Sequence, residues 1–245
     1  MRRVLFVWFG RPVHSYPAML YVGIVLGIYA QLGAARAIGL DLGRTLVATL
    51  VLLTAALLGA RLLHIVAQWP LYRAHPRRIL QFAEGGASMY GGVLVAIPLS
   101  LPLLGWLGLP FGAFWDTASF TMLIGMIVTR AGCFLNGCCA GRPTDGVWGI
   151  ELSDHRGVRR RRIPLQALEA AWGVGVLAGA CGLWSRRPLG GAVLLYTLGA
   201  YGAGRFLLER LREEIDQVMG TSLHRAISTG FVVIALGALA IAWLG

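Results

Sequence analysis

The sequence predicts an all-α, polytopic membrane protein, a bundle of about seven transmembrane helices with a short extramembrane loop segment. Three observations predict it. Hydrophobic residues make up 57% of the 245 residues and charged ones 13%, with mean hydropathy +0.68, which lies outside soluble composition. Apolar stretches near the roughly 20 residues that a helix needs to cross a bilayer recur along the whole chain. The arginines collect mainly between those stretches. A single integral membrane domain over 1–245, without internal repeats, is therefore expected.

Residues 1–15 start with M-R-R-V-L-F-V-W-F-G-R-P. The apolar run is short and no small-residue cleavage site follows, so a cleavable signal peptide is not expected. Arginines mixed with Phe6, Trp8 and Phe9 suit a short helix lying in the membrane interface. Spans are expected at about 16–37, 45–69, 86–107, 111–130, 164–184, 189–208 and 226–244. Pro98 and Pro102 should kink or break the third. The segment 141–163 includes D-H-R-G-V-R-R-R-R and is too charged to be embedded. Its arginines suit a solvated face near anionic headgroups.

The formal net charge is +11, and all 22 basic residues are arginine. Because they are distributed among loops between apolar spans, nucleic acid is not the expected partner, and anionic membrane lipid is. Arginine suits bidentate phosphate recognition, although a GC-rich genome is the simpler account of the bias, which extends to surface loops with no phosphate to meet. The N-terminal tail and the loops after spans two, four and six hold 15 arginines, against four on the other side. By the positive-inside rule the amino terminus would be cytoplasmic.

Three constellations carry chemistry. The first, R-A-G-C-F-L-N-G-C-C-A-G-R-P-T-D, runs over 130–145. Arg130 closes an apolar run, and a buried cation at membrane depth needs a partner and a reason. Glycines at 132, 137 and 141 would let backbone amides approach an anion closely. The second, E-G-G-A-S-M-Y-G-G over 84–92, has small residues that admit either a neighbouring helix or a ligand. Its Tyr90 offers one phenolic hydrogen bond but is a poor base at neutral pH. In the third, Tyr201, Arg205 and Glu209 succeed one another at i, i+4 on one helical face, with Arg212 just beyond. Arg61 is another arginine inside a span, with Glu84 or Glu169 as candidate partners. Cys133, Cys138 and Cys139 make C-x4-C-C, which lacks the usual zinc spacing, so no metal is expected. They read as small apolar side chains, or as a disulfide from Cys133 to Cys138 or Cys139 if the loop faces an oxidising compartment.

The first stretch resembles the signature of the prolipoprotein diacylglyceryl transferase family, roughly G-R-x-G-N-F-x-N-G-E-x-x-G-R. Arg130, Gly132, Phe134, Asn136, Gly137, Gly141 and Arg142 match it, while Cys133 and Cys138 stand in place of Asn and Glu. Weaker matches follow in family order: Y-x-x-x-x-Y-V-G over 16–23, G-G-A-S-M-Y-G-G over 85–92, P-L-Q-A-L-E over 164–169 and Y-G-A-G-R-F-L-L-E-R-L-R over 201–212. The family's H-G-G has become Tyr90, Gly91 and Gly92.

The resemblance implies transfer of a diacylglyceryl group from phosphatidylglycerol to the lipobox cysteine of a prolipoprotein, at a bacterial cytoplasmic (inner) membrane, without metal or other cofactor. It implies catalytic roles for Arg130, Arg205 and Tyr90. It implies substrate-binding roles for Tyr16, Arg61, Gly91, Gly92, Asn136, Gly137, Gly141, Arg142, Gln166, Glu169, Tyr201 and Glu209. It also places the N-terminus outside, against the arginine count. Two alternatives stand: a related membrane enzyme acting on a different phospholipid or acceptor, and a non-catalytic lipid-binding membrane protein.

Overall fold

The computed structural model describes residues 4–74, 76, 79, 89–153, 159–186, 190–212, 217–218, 221–222, 229–230 and 233. The chain is mostly helical. Among the described residues the helices include α1 (Ser15–Ala37), α2 (Leu42–Ala67), α3 (Trp69–Ala74), α4 (Met89–Leu107), α5 (Phe111–Asn136), α6 (Leu165–Ser185) and α7 (Ala192–Leu208), and a 3₁₀ turn at Glu209–Leu211 extends α7. Among the described residues, four helices are long and apolar enough to cross a membrane: Ser15–Ala37, Leu42–Val66, Phe111–Asn136 and Leu165–Ser185. Gly91–Leu107 is a shorter apolar helix. The expected span over 226–244 lies almost wholly outside the described residues.

The amino-terminal segment corrects the expectation of an interfacial helix. Strands β1 (Val4–Trp8) and β2 (Arg11–His14) pair antiparallel, with Trp8 opposite Arg11. Phe9 and Gly10 both have positive φ, 46° and 74°, as a two-residue hairpin turn requires. A run of β-branched and aromatic residues followed by a glycine thus outweighs the amphipathic composition.

The chain divides into two compact units, 1–34 with 115–245 and 35–114. In the first, α1 and α5 pack through small residues. A Cβ on Gly23 would meet Gly125 at 3.1 Å, and Thr121 donates to Gln31 Oε1 at 2.8 Å. Close backbone approach and interhelical hydrogen bonds replace the hydrophobic drive that lipid does not supply. Phe120, Leu123, Val176, Ala180 and Val193 form the apolar centre of this unit, and Phe120 meets Trp184 edge to face at 5.6 Å.

The start of α7 is capped by another helix. Asp116, near the start of α5, accepts hydrogen bonds from Gly191 N at 2.7 Å and Leu194 N at 2.9 Å. The carboxylate satisfies orphan amides and meets the positive end of the helix dipole. It also sets register. At about 1.5 Å per residue, Arg130 on α5 and Arg205 on α7 lie at similar distances beyond this cap, roughly 20 Å along each helix.

In the second unit, α2 and α4 pack so closely at Gly59 and Gly91 that a Cβ on either would overlap the other's carbonyl. Asp41 caps α2 by accepting from Arg44 N at 2.7 Å, and the Arg44 guanidinium donates to Leu107 O at 3.1 Å, at the end of α4. Helix α4 continues through Pro98 and Pro102 without a break, and Ser100 Oγ donates to Ile97 O at 2.6 Å.

The polar segment folds as a ribbon. Strands β3 (Ile150–Ser153) and β4 (Arg159–Arg162) pair antiparallel, and bridges join Pro143 to Arg162 and Gly141 to Arg212.

If Asp116 fixes α7 as described, Asp116→Ala should destabilise the detergent-solubilised protein by the value of a lost cap, about 0.5–2 kcal/mol, read as a lower thermal unfolding midpoint. Asp116→Asn, which keeps one acceptor, should fall between. Equal midpoints for all three proteins would contradict the assignment.

Candidate active site

Helix α5 does not stop at Arg130. It runs six residues further, to Asn136, and closes with Gly137 in the left-handed conformation, φ 76°. Gly137 N donates to Phe134 O at 3.3 Å and Cys138 N to Cys133 O at 3.1 Å, the paired bonds of a Schellman cap. Two expectations change as a result. Gly132 lies within the helix, where a Cβ would meet Met19 of α1 at 2.8 Å, so it serves packing and not anion approach. Arg130 projects from the body of the helix and not from its end.

Three helices converge on one carboxylate. Glu169 of α6 places Oε2 2.8 Å from Arg130 Nε and Oε1 2.5 Å from Arg205 Nη1. One helical turn beyond Arg205, Glu209 puts Oε2 3.2 Å from Arg205 Nη2. The order is Arg130, Glu169, Arg205, Glu209, two cations alternating with two anions. Arg205, Glu169 and Glu209 are buried at 7%, 6% and 1% exposure, and Arg130 retains 15%. Isolated, any of these charges would carry a desolvation penalty of several kcal/mol, and alternation is what makes the burial tolerable. The chain is not saturated. Glu169 Oε2 and both oxygens of Glu209 are buried without an aligned hydrogen bond, although Arg130 Nε stands 2.8 Å from the first and Arg205 Nη2 3.2 Å from Glu209 Oε2. A ligand carrying hydroxyl donors would find acceptors waiting.

Above this chain is a small pocket lined by Met126, Arg130, Glu169, Trp172, Tyr201, Gly204, Arg205 and Leu208. Trp172 donates its indole N–H to Ala200 O at 3.0 Å, and a side chain at Gly204 would overlap the indole ring. Tyr201 is one turn before Arg205 and within electrostatic reach of both arginines.

The loop beyond α5 is held from two sides. Gln166, one turn before Glu169, donates to Cys138 O at 2.6 Å. Gly141 N donates to Ile163 O at 3.0 Å, Arg142 N to Leu211 O at 2.9 Å, and Ile163 N to Arg142 O at 3.1 Å. A Cβ on Gly141 would stand 2.8 Å from Ile163 O and 2.9 Å from Leu211 O, so this glycine answers to two flanking backbones. Arg142 is exposed and donates from Nε to Arg212 O at 3.1 Å. Asn136 bonds to Cys138 through its side chain, and Tyr16 on α1 lies within electrostatic reach of Arg130, Cys133, Cys138 and Cys139. All four cysteines are free thiols, so neither expected disulfide is present. The Cys139 thiol is held below the ordinary range by hydrogen bonds from Cys133 and Cys138, against burial, with the fields of Arg212 and Arg130 assisting.

The remaining expected site residues lie in the second unit. Gly91 and Gly92 turn to α2, where Gly59 O and Ala56 O leave no room for a side chain. Tyr90 is in the first turn of α4, and its side chain falls outside the described residues. Arg61 donates from Nε and Nη2 to Ile79 O at 3.4 and 3.3 Å and stands over the Tyr72 ring at 5.5 Å. Glu84, one of its candidate partners, is outside the described residues, and Glu169 is engaged by the other two arginines. Sequence reading did not find Asp116, whose acidic side chain in an apolar run was the available signal.

Among the described residues four helices are long and apolar enough to cross a membrane, and an ionic chain sunk among apolar helices lies beside a small pocket lined by two guanidinium groups. The sequence model of the family described as prolipoprotein diacylglyceryl transferase matches residues 3–243, and the chain belongs to that family. A phosphatidylglycerol–prolipoprotein diacylglyceryl transferase of Symbiobacterium thermophilum is 30% identical over 243 residues, covering 94% of this chain and 88% of its own. One of the same name from Clostridioides difficile is 26% identical, covering 87% and 84%.

The alternating chain makes a direct prediction. Glu169→Ala leaves two guanidiniums facing each other without their shared anion and should destabilise the protein by about 3–5 kcal/mol, read as a lower unfolding midpoint in detergent. The exposed Glu151 on β3 provides the control, and its replacement by alanine should stay within about 0.5 kcal/mol of the parent. Equal stability of the two variants would remove the structural role assigned to Glu169.

Proposed function

We propose that this protein transfers the diacylglyceryl group of phosphatidylglycerol to the thiol of a lipobox cysteine in a prolipoprotein, as a multi-pass enzyme of about seven spans in a bacterial cytoplasmic membrane. The observation that carries the reading is the meeting of Arg130 and Arg205, from different helices, on the one carboxylate of Glu169 and in one pocket. Two guanidinium forks at that spacing suit the phosphate of a lipid headgroup, and Glu169 Oε2, an unsatisfied oxygen of a pocket residue, suits a hydroxyl of its glycerol.

In the reaction, the peptide thiolate attacks the diacylglycerol carbon bonded to the phosphate oxygen. The C–S bond forms, the C–O bond breaks, and glycerol phosphate leaves with the bonding pair while the thiol proton passes to solvent. Arg130 and Arg205 neutralise the charge that grows on the departing phosphate. No redox step or nucleotide enters. The donor and the lipidated product both stay in the bilayer, so the pocket must open sideways between helices. Trp172, a pocket residue that is 40% exposed, carries the edge of the pocket to the protein's apolar outer surface and supports such an opening.

Removing a whole charge here would also disturb folding, so charge-preserving variants are the informative ones. Arg130→Lys and Arg205→Lys keep the cation but lose the fork. Each should lower the rate of thioether formation by the value of a charge-assisted hydrogen bond, about 1.5–3 kcal/mol, or roughly ten- to a hundredfold. The assay is transfer from phosphatidylglycerol to a lipobox peptide, followed by mass spectrometry of peptide and released glycerol phosphate. Unchanged rates in both variants would sink the clamp.

Tyr90 in place of the usual histidine, with Cys133 and Cys138 in place of Asn and Glu, favours a second reading in which the same fold serves a different acceptor. The two readings part on a pH–rate profile. If Tyr90 orients the substrate without abstracting a proton, the rate with a lipobox peptide should climb towards the thiol's own ionisation near pKa 8.5, with no step near 6.5. Tyr90→Phe should be slower than the parent. An unaffected Tyr90→Phe, together with no transfer to the peptide at any pH, would favour the other acceptor.

A further inference from the structure

We propose that Cys133, Cys138 and Cys139 form a three-coordinate thiolate site for a thiophilic monovalent cation, Cu(I). Their sulfurs lie within 4.8 Å of one another, and among the described residues no histidine or carboxylate joins the group. The proposal does not require the transferase reading, although the site shares the field of Arg130 with it.

The cluster is assembled by the helix end. Cys133 occupies the last turn of α5, and the Schellman cap folds the chain back so that Cys138 N bonds Cys133 O at 3.1 Å. Cys139 takes φ 61°, a left-handed conformation that costs a non-glycine residue roughly 1–2 kcal/mol. That turn brings the thiol of Cys139 to its neighbour and to Cys133. The loop is fixed from outside the cluster, by Gln166 Nε2 on Cys138 O at 2.6 Å and by the bond of Gly141 N to Ile163 O.

Geometry and softness select the ion. Sulfurs bonded to one metal at about 2.3 Å stand roughly 3.8–4.0 Å apart, so closure asks for movements under about 1 Å. Thiolates select Cu(I) and Zn(II) among first-row ions. Structural zinc takes four protein ligands, whereas among the described residues this group offers three, which favours Cu(I). Three thiolates and one Cu(I) leave two negative charges, and the positive charges of Arg130 and Arg212 both act on Cys139. Binding exchanges the three thiol protons for the ion, with no change in sulfur oxidation state.

The test uses the full-length protein, reduced and anaerobic in detergent, with Cu(I) offered as its bicinchoninate complex. One equivalent should be withdrawn per chain. Alkylation followed by mass spectrometry should then label Cys181 alone, because the other three thiols are protected. Cys138→Ser and Cys139→Ser, both in the loop and not in the helix, should each weaken withdrawal by at least about a hundredfold, and Cys181→Ser should bind like the parent. Zn(II) offered first should be displaced by Cu(I). The proposal is overturned if no Cu(I) is withdrawn, if the loop variants withdraw it as the parent does, if Zn(II) is retained against Cu(I), or if Cys181→Ser loses binding.

Discussion

Charge burial in an apolar setting is the constraint on which the rest of this structure depends. A guanidinium inside a membrane helix must find an anion, and here one carboxylate serves two guanidiniums while a second lies one turn further along. The sequence of alternating signs ties α5, α6 and α7 together at one level and determines which face each helix turns inward. A buried ion pair gains little over an apolar pair of similar shape, whereas removing one partner leaves an uncompensated charge at high cost. On the proposed reading, function shares its residues with architecture. The groups that would hold an anionic headgroup are the same groups that keep the three helices in register.

Several supporting features follow from that requirement. Asp116 caps α7 from the start of α5, so two helices that run from a common level deliver Arg130 and Arg205 at similar depth. Gln166 and Glu169 sit one turn apart on α6, the first fastening the loop after α5 and the second joining the arginines. The strip from Gly141 to Pro143 is bridged by Arg212 on one side and Arg162 on the other. The loop that carries the family signature is thereby tied both to the end of α7 and to the start of α6.

Much of this was legible in the sequence, and the failures have physical causes. Helical spans came through because apolar length is a one-dimensional signal, and α1, α2, α5 and α6 fall close to where hydropathy put them. The pairing of Arg205 with Glu209 was legible as well, because helical spacing fixes it. The amino-terminal hairpin was not, since Arg, Trp and Phe in a short run fit an interfacial helix and a strand equally, and only the Phe9–Gly10 turn decides. Hydropathy ended α5 at Arg130 because it counts a charge as a terminus, whereas Glu169 allows the helix to pass it. Spacing along the chain also hid the thiol cluster. C-x4-C-C has no metal signature until a Schellman cap folds its ends together.

The central claim, that Arg130 and Arg205 hold one anionic headgroup, is most directly tested by an experimental structure of the protein with phosphatidylglycerol bound. The account predicts a single phosphate within charge-assisted hydrogen-bond distance, about 2.7–2.9 Å, of both guanidiniums, with a headgroup hydroxyl directed at Glu169. A headgroup bound away from both arginines, with the Arg130, Glu169, Arg205 and Glu209 chain intact beside an empty pocket, would contradict it.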